Sequence, residues 1–150
     1  MLVAALQTLF ARDLTKLHQE IEAYRHEEAL WRTAPGISNP AGNLCLHLVG
    51  NLNTYIGAEL GRTGYVRHRD QEFSLRDVPR TELLQRVADT RRVVDAALAP
   101  LTDAQLDAEY PLLVLEAKTS TGYFLVHLAT HLAYHLGQIN YHRRLLDVAS

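Results

Sequence analysis

Residues 127–142 read His127-Leu-Ala-Thr-His131-Leu-Ala-Tyr-His135-Leu-Gly-Gln138-Ile-Asn-Tyr-His142. An α-helix advances about 100° per residue, so with His131 at zero, His127 falls near -40°, His135 near +40°, Gln138 near -20° and His142 near +20°. All five therefore share an arc of roughly 80°. Leu132, Leu136 and Ile139 form an adjoining apolar wedge, while Ala129, Ala133 and Gly137 make a small-residue face. The histidines thus border the buried side of a helix, where a solvated face would carry Lys, Glu and Arg. This helix opens at Thr119-Ser120-Thr121 and runs to about Leu146.

Three further apolar-periodic segments precede it. Leu6, Phe10, Leu14, Leu17, Ile21 and Tyr24 recur at steps of three and four between about Leu2 and Glu28. Leu44, Leu48, Leu52 and Ile56 recur every four residues between about Pro40 and Leu60, where Gly61 and Gly64 stop the helix. The third segment starts near Asp77-Val78-Pro79 and ends at Leu98, before Pro100. Thr102-Asp103-Ala104-Gln105 has the form of a capping box that starts a short turn. Leu112–Leu115 can be extended, but it is too short for periodicity to decide. Four amphipathic helices and almost no strand signal predict an all-α four-helix bundle over 1–150 as a single domain. The charged Arg62–Arg76 connection between helices 2 and 3 exceeds the usual helix-to-helix length, which suits a functional loop.

Composition narrows the function classes. The chain has 150 residues, of which 47% are hydrophobic and 21% charged, enough for one core. Fifteen Lys and Arg against 17 Asp and Glu give a net charge of -2, which argues against nucleic acid as a partner. No apolar run approaches the roughly 20 residues that span a bilayer, so a membrane is not expected as a partner either. The apolar start runs directly into Arg12, Asp13 and Lys16, as a helix start does and a signal peptide does not. Cys45 is the single cysteine, and a cytoplasmic location is the expectation. Eight His stand beside only two Lys, and His is the commonest metal ligand.

The second helix carries a stripe that answers the fourth. Asn43, His47 and Asn51 recur every four residues inside an otherwise apolar helix. Buried polar groups need hydrogen bonds or a metal, and helical bundles build metal sites from side chains on facing helices. His47 can join two imidazoles of the fourth helix. Those two are His127 with His131 or His131 with His135, because His127 and His135 are separated by about 12 Å of rise. Spacing alone leaves both pairs open.

His47 within Leu46-His47-Leu48-Val49-Gly50-Asn51, followed by His131-x-x-x-His135-x-x-Gln138, resembles the DinB-like superfamily over essentially the whole chain. The resemblance implies a four-helix bundle with three metal-binding imidazoles at His47, His131 and His135, and a polar position at Gln138. Members of that superfamily are described as metal-dependent hydrolases or as thiol S-transferases using a low-molecular-weight thiol. A divalent metal is therefore expected, and three nitrogens suit zinc, with nickel competing on affinity. Such a centre lowers the pKa of a bound water or holds a thiolate against a small electrophilic substrate.

Other residues carry lesser expectations. His127 is a neighbour of the ligands, His142 a structural residue near the bundle end, and His18, His26 and His68 surface residues. Asn51 can orient a ligand, Arg67 and Arg69 can clamp an anionic substrate, and Tyr134 or Tyr141 can supply a proton. No carboxylate stands in either stripe. The small-residue face permits close helix approach, which suits a homodimer. The alternatives to an enzyme are a non-catalytic metal-containing or stress-related bundle, and a metal-free bundle with a buried His network.

Overall fold

The computed structural model describes residues 1–150 and contains helices but no strands. In chain order these are α1 (Leu2–Ala23), α2 (Ala41–Leu52), α3 (Arg69–Ser74), α4 (Arg80–Leu98), α5 (Asp103–Asp107) and α6 (Thr121–Leu146). A 3-10 turn spans Glu27–Trp31, and α2 continues into a wider π-helical turn at Asn53–Ala58. No helix is long and apolar enough to cross a membrane.

The four long helices form a ring in which α1 touches α4 and α6, and α2 touches the same two. Side chains at matched heights give the directions. Asn53 bonds Thr90, and Cβ atoms at Gly57 and Gly61 would meet Val93 and Ala97, so α2 and α4 run parallel. His47 faces His131 and His135 while Tyr55 faces Phe124, so α2 and α6 are antiparallel. Gln7 reaches Asp95 near one end and Arg80 reaches the Glu22 carbonyl near the other, so α1 opposes α4.

Parallel neighbours cannot be joined by a tight turn. The chain must return along about 27 Å of helix before α4 can begin, given 1.5 Å per residue over about 18 residues. The long connection expected after Gly61 makes this return as a strap over α2, and α3 forms within it. Asn43 pins its far end, donating to the carbonyls of Glu72 (2.9 Å) and Leu75 (2.8 Å) and accepting from Arg76 (2.9 Å).

All residues of α2 are buried, which makes it the central helix of the bundle. The core around it unites Leu6, Phe10, Leu14, Leu17 and Ile21 of α1 with Leu83, Val87 and Val94 of α4 and Leu125, Leu128, Leu132 and Ile139 of α6. The Thr102–Gln105 capping box starts α5 as expected. The segment 112–115 forms no strand, and the nearest pairing is an isolated bridge between Glu109 and Ser120.

The first helix ends at Ala23, five residues earlier than the sequence suggested. Tyr24 turns extended and enters the core, and the buried Asp147 carboxylate accepts from the backbone N–H groups of Arg25 (2.8 Å) and His26 (3.0 Å). His26, expected at the surface, also reaches Asp147 at 3.1 Å. His142 is structural, as expected: its Nε2–H donates to the Arg32 carbonyl (2.8 Å), so Nδ1 accepts from the Tyr24 hydroxyl (2.7 Å). The small-residue face divides. Ala129 packs on the core, whereas Ala133 and Gly137 are exposed and a Cβ at Gly137 would meet nothing within 4 Å.

Burial holds His142 below the usual imidazole range, with partial relief from its bond to Arg32. The unfolded chain therefore binds more protons near pH 6, and stability rises with pH in that window. In metal-free protein the urea midpoint is expected to hold above about pH 7 and to fall as pH drops through about 6.5. Tyr24→Phe strands a buried acceptor and should lower stability by about 1–3 kcal/mol at pH 7.5. A midpoint indistinguishable from that of the unchanged protein would contradict the role of this pair.

Candidate metal centre

The centre is built where α2 and α6 cross at mid-height. His47 comes from the buried helix, and His131 and His135 come from consecutive turns of α6. His131 Nε2 lies 3.3 Å from His47 Nε2 and 3.1 Å from His135 Nε2. The candidate ligand atoms of the three rings all lie within 4.8 Å of one another.

Those spacings fit a cation. A tetrahedral ion with bonds of about 2.0–2.1 Å holds neighbouring nitrogens about 3.3 Å apart, and an octahedral one about 2.9 Å. The outer nitrogens point to the same conclusion. His47 Nδ1 lies 3.0 Å from Glu72 Oε1, and His135 Nδ1 lies 2.7 Å from Gln138 Oε1. Arg67 Nη2 also lies 3.4 Å from His47 Nδ1, but it already donates to Glu72. The nearer partner of each Nδ1 is an acceptor, so each Nδ1 carries the proton and leaves a lone pair on Nε2 directed inward. His131 Nε2 meets both lone pairs, and one proton there could satisfy only one of them. A shared divalent cation satisfies all three.

The protonation states agree. Burial pushes His131 down to about 4, reinforced by the neighbouring imidazoles of His135, His47 and His127 and by Arg67. Burial also lowers His135, against the opposing hydrogen bond to Gln138. Both rings are therefore neutral near pH 7, the form that binds metal.

The chain matches the family model of the DinB superfamily over residues 9–139. The chain belongs to the DinB superfamily. No match was found among curated proteins. The family match and the converging imidazoles are together compatible with metal binding, and they bring together the three residues to which the superfamily pattern pointed.

The other expected site residues are placed as follows in this DinB-superfamily chain. His127 stays outside the cluster, stacked at 6.3 Å from the His131 ring and 5.8 Å from Phe124. Of the two pairs that spacing left open, the fold brings His131 and His135 to His47. Asn51 is buried and its Oδ1 has no partner, as do Thr54 Oγ1 and His131 Nδ1. Tyr134 and Tyr141 are exposed, with Tyr134 edge-on to His135 at 5.3 Å. Cys45 is fully buried, and burial pushes its thiol up to about 12, so it is packing.

One expectation needs correction. Arg67 was expected to be available for an anionic substrate, but it grips an internal carboxylate: Nε and Nη2 donate to Glu72 at 2.8 and 2.9 Å. Arg69 lies over the Phe73 ring at 5.5 Å. A carboxylate does lie against His47, although neither stripe contains one. Glu72, carried by the strap, was missed because a charged connection has no periodicity to mark it. The available signal was Gly50, a helix-interior glycine one turn beyond His47, of the kind that marks close approach of another group.

His135→Ala should weaken zinc binding at least about 100-fold, beyond the usual effect of losing a hydrogen-bonding partner of a ligand. His127→Ala should leave it unchanged. Competition with a chromophoric chelator measures both, and the reverse order would assign the centre to the other histidine pair.

Proposed function

We propose that the protein is a metal-dependent enzyme acting on a small electrophilic substrate, as a hydrolase or as a transferase of a low-molecular-weight thiol. The observation that carries this reading is the inward convergence of three Nε2 atoms at 3.1 and 3.3 Å. His47, His131 and His135 would hold one divalent ion, zinc or nickel, by neutral nitrogens. Such an ion supplies Lewis acidity that activates water or a thiol, or polarises an electrophile, at neutral pH. No carboxylate sits among the ligands, so the ion keeps its full charge and has coordination positions to spare.

The chain's own groups shape access. A cleft of about 430 Å³ reaches His135 and Gln138 between the 36–39 turn and α6, lined also by Leu44, Tyr134, Tyr141 and Leu145. Its volume is that of a small-molecule site, of about 300–1,000 Å³. The larger cleft, about 620 Å³ between α1 and α4, contains none of the three imidazoles, and we assign it no part in the reaction. Tyr134, whose ring stands edge-on to His135 at 5.3 Å, is the proposed proton donor. The exposed face at Ala133 and Gly137 is where a second copy would pair in the homodimer, and the cytoplasm is the proposed location.

Protein purified without a nickel column should contain about one equivalent of zinc or nickel, lost in His47→Ala and His131→Ala. Metal-loaded protein should accelerate thiol-dependent loss of monochlorobimane, and His47→Ala should not. Equal rates in the two, with metal bound only by the unchanged protein, would leave a non-catalytic metal bundle. Metal-free protein that takes up none would leave a buried histidine network.

A further inference from the structure

Glu72 is one of three buried carboxylates in the molecule. It is 6% exposed, sits on a six-residue helix in a connecting strap, and touches α2 from outside the bundle. Burial works against its charge, but hydrogen bonds from His47 and Arg67 outweigh that and hold the carboxyl below its usual range. Oε1 accepts from His47 Nδ1 at 3.0 Å and from Arg67 Nη2 at 2.9 Å, while Oε2 accepts from Arg67 Nε at 2.8 Å.

The backbone of α2 is shaped to receive it. A Cβ built on Gly50 would stand 1.9 Å from Glu72 Oε2 and 2.6 Å from its Cδ. Gly50 is therefore a notch that lets the carboxylate lie against the helix, at a position where glycine costs about 1 kcal/mol of helix propensity relative to alanine. Phe73 covers the His47 ring on the same side at 5.0 Å. Asn43 fixes the strap one turn before His47, and Arg67 locks both carboxylate oxygens.

We propose that Glu72 is a positioning residue of the metal centre: seated in the Gly50 notch, its carboxylate fixes His47 as the Nδ1–H tautomer and aims Nε2 at the ion. The inference rests on the three-histidine metal reading. Arg67 has a separate part, holding the carboxylate in place and offsetting its charge, so that the site gains orientation without an added net charge. A ligand fixed in this way forfeits less ring freedom on binding.

The test has one arm without metal and one with it. Long-range nitrogen–proton NMR of the unchanged, metal-free protein should show His47 as the Nδ1–H tautomer; an Nε2–H tautomer there overturns the proposal. Zinc affinity by chelator competition should fall about 10–100-fold in Glu72→Gln, with His47 then populating both tautomers. Gly50→Ala, which leaves the carboxylate in the chain but denies it the notch, should move both readouts the same way. Glu82→Gln on the exposed face of α4 should move neither. Zinc affinity unchanged in both Glu72→Gln and Gly50→Ala overturns the inference while sparing the metal reading. Failure of the unchanged protein to bind zinc overturns both.

Discussion

The fold is organised around three imidazole nitrogens that approach one another between α2 and α6. Between two neutral rings a single proton suffices, but His131 Nε2 meets two such partners at once. The acceptors on the far sides of His47 and His135 remove the option of turning either ring around. Desolvation removes another, since it disfavours the imidazolium form of both α6 histidines. A divalent ion would meet all three inward lone pairs at once, which is why we propose one there. A fully buried α2, the antiparallel crossing with α6 and the folded-back strap each serve to hold that arrangement.

Topology explains why the site has its outer carboxylate. Because α2 and α4 lie side by side and point the same way, the chain must travel back along α2 before continuing. A shorter link would have to give up this neighbour arrangement. That return brings residues 62–76 past the outer side of His47, and Asn43 anchors them there. The connection is therefore part of the centre as well as a link between helices. At the end of the bundle where α4 begins, the same principle recurs on a smaller scale. The C-terminal Asp147 folds back onto the 25–26 turn, and His142 closes against Tyr24, so a polar clasp holds the base of α6.

Much of this was legible in the sequence, and for identifiable reasons. The helices were visible because apolar residues recur at three and four, and α6 because its boundaries carry a Ser120 cap and the last apolar step at Leu146. The histidine stripe was visible because five polar side chains fell in one arc. Spacing could not choose between two equivalent i,i+4 pairs; the superfamily pattern pointed to His131 with His135, and the fold brings those rings to His47. Tertiary forces account for what was not visible. Tyr24 ends α1 early because burying it against His142 outweighs one more helical turn. Arg67 looked free because its partner lies five residues on in a stretch without period. Glu72 lies 25 residues from the ring it contacts, and only the glycine at position 50 hinted that something approached α2 there.

The most direct measurement is X-ray diffraction from zinc-loaded crystals, with anomalous data collected on both sides of the zinc edge. The expected map has one strong peak, about 2.0–2.1 Å from Nε2 of residues 47, 131 and 135 and with a non-protein ligand completing the coordination. A principal peak elsewhere on the chain, or none at that crossing despite stoichiometric zinc in the crystal, would contradict the account.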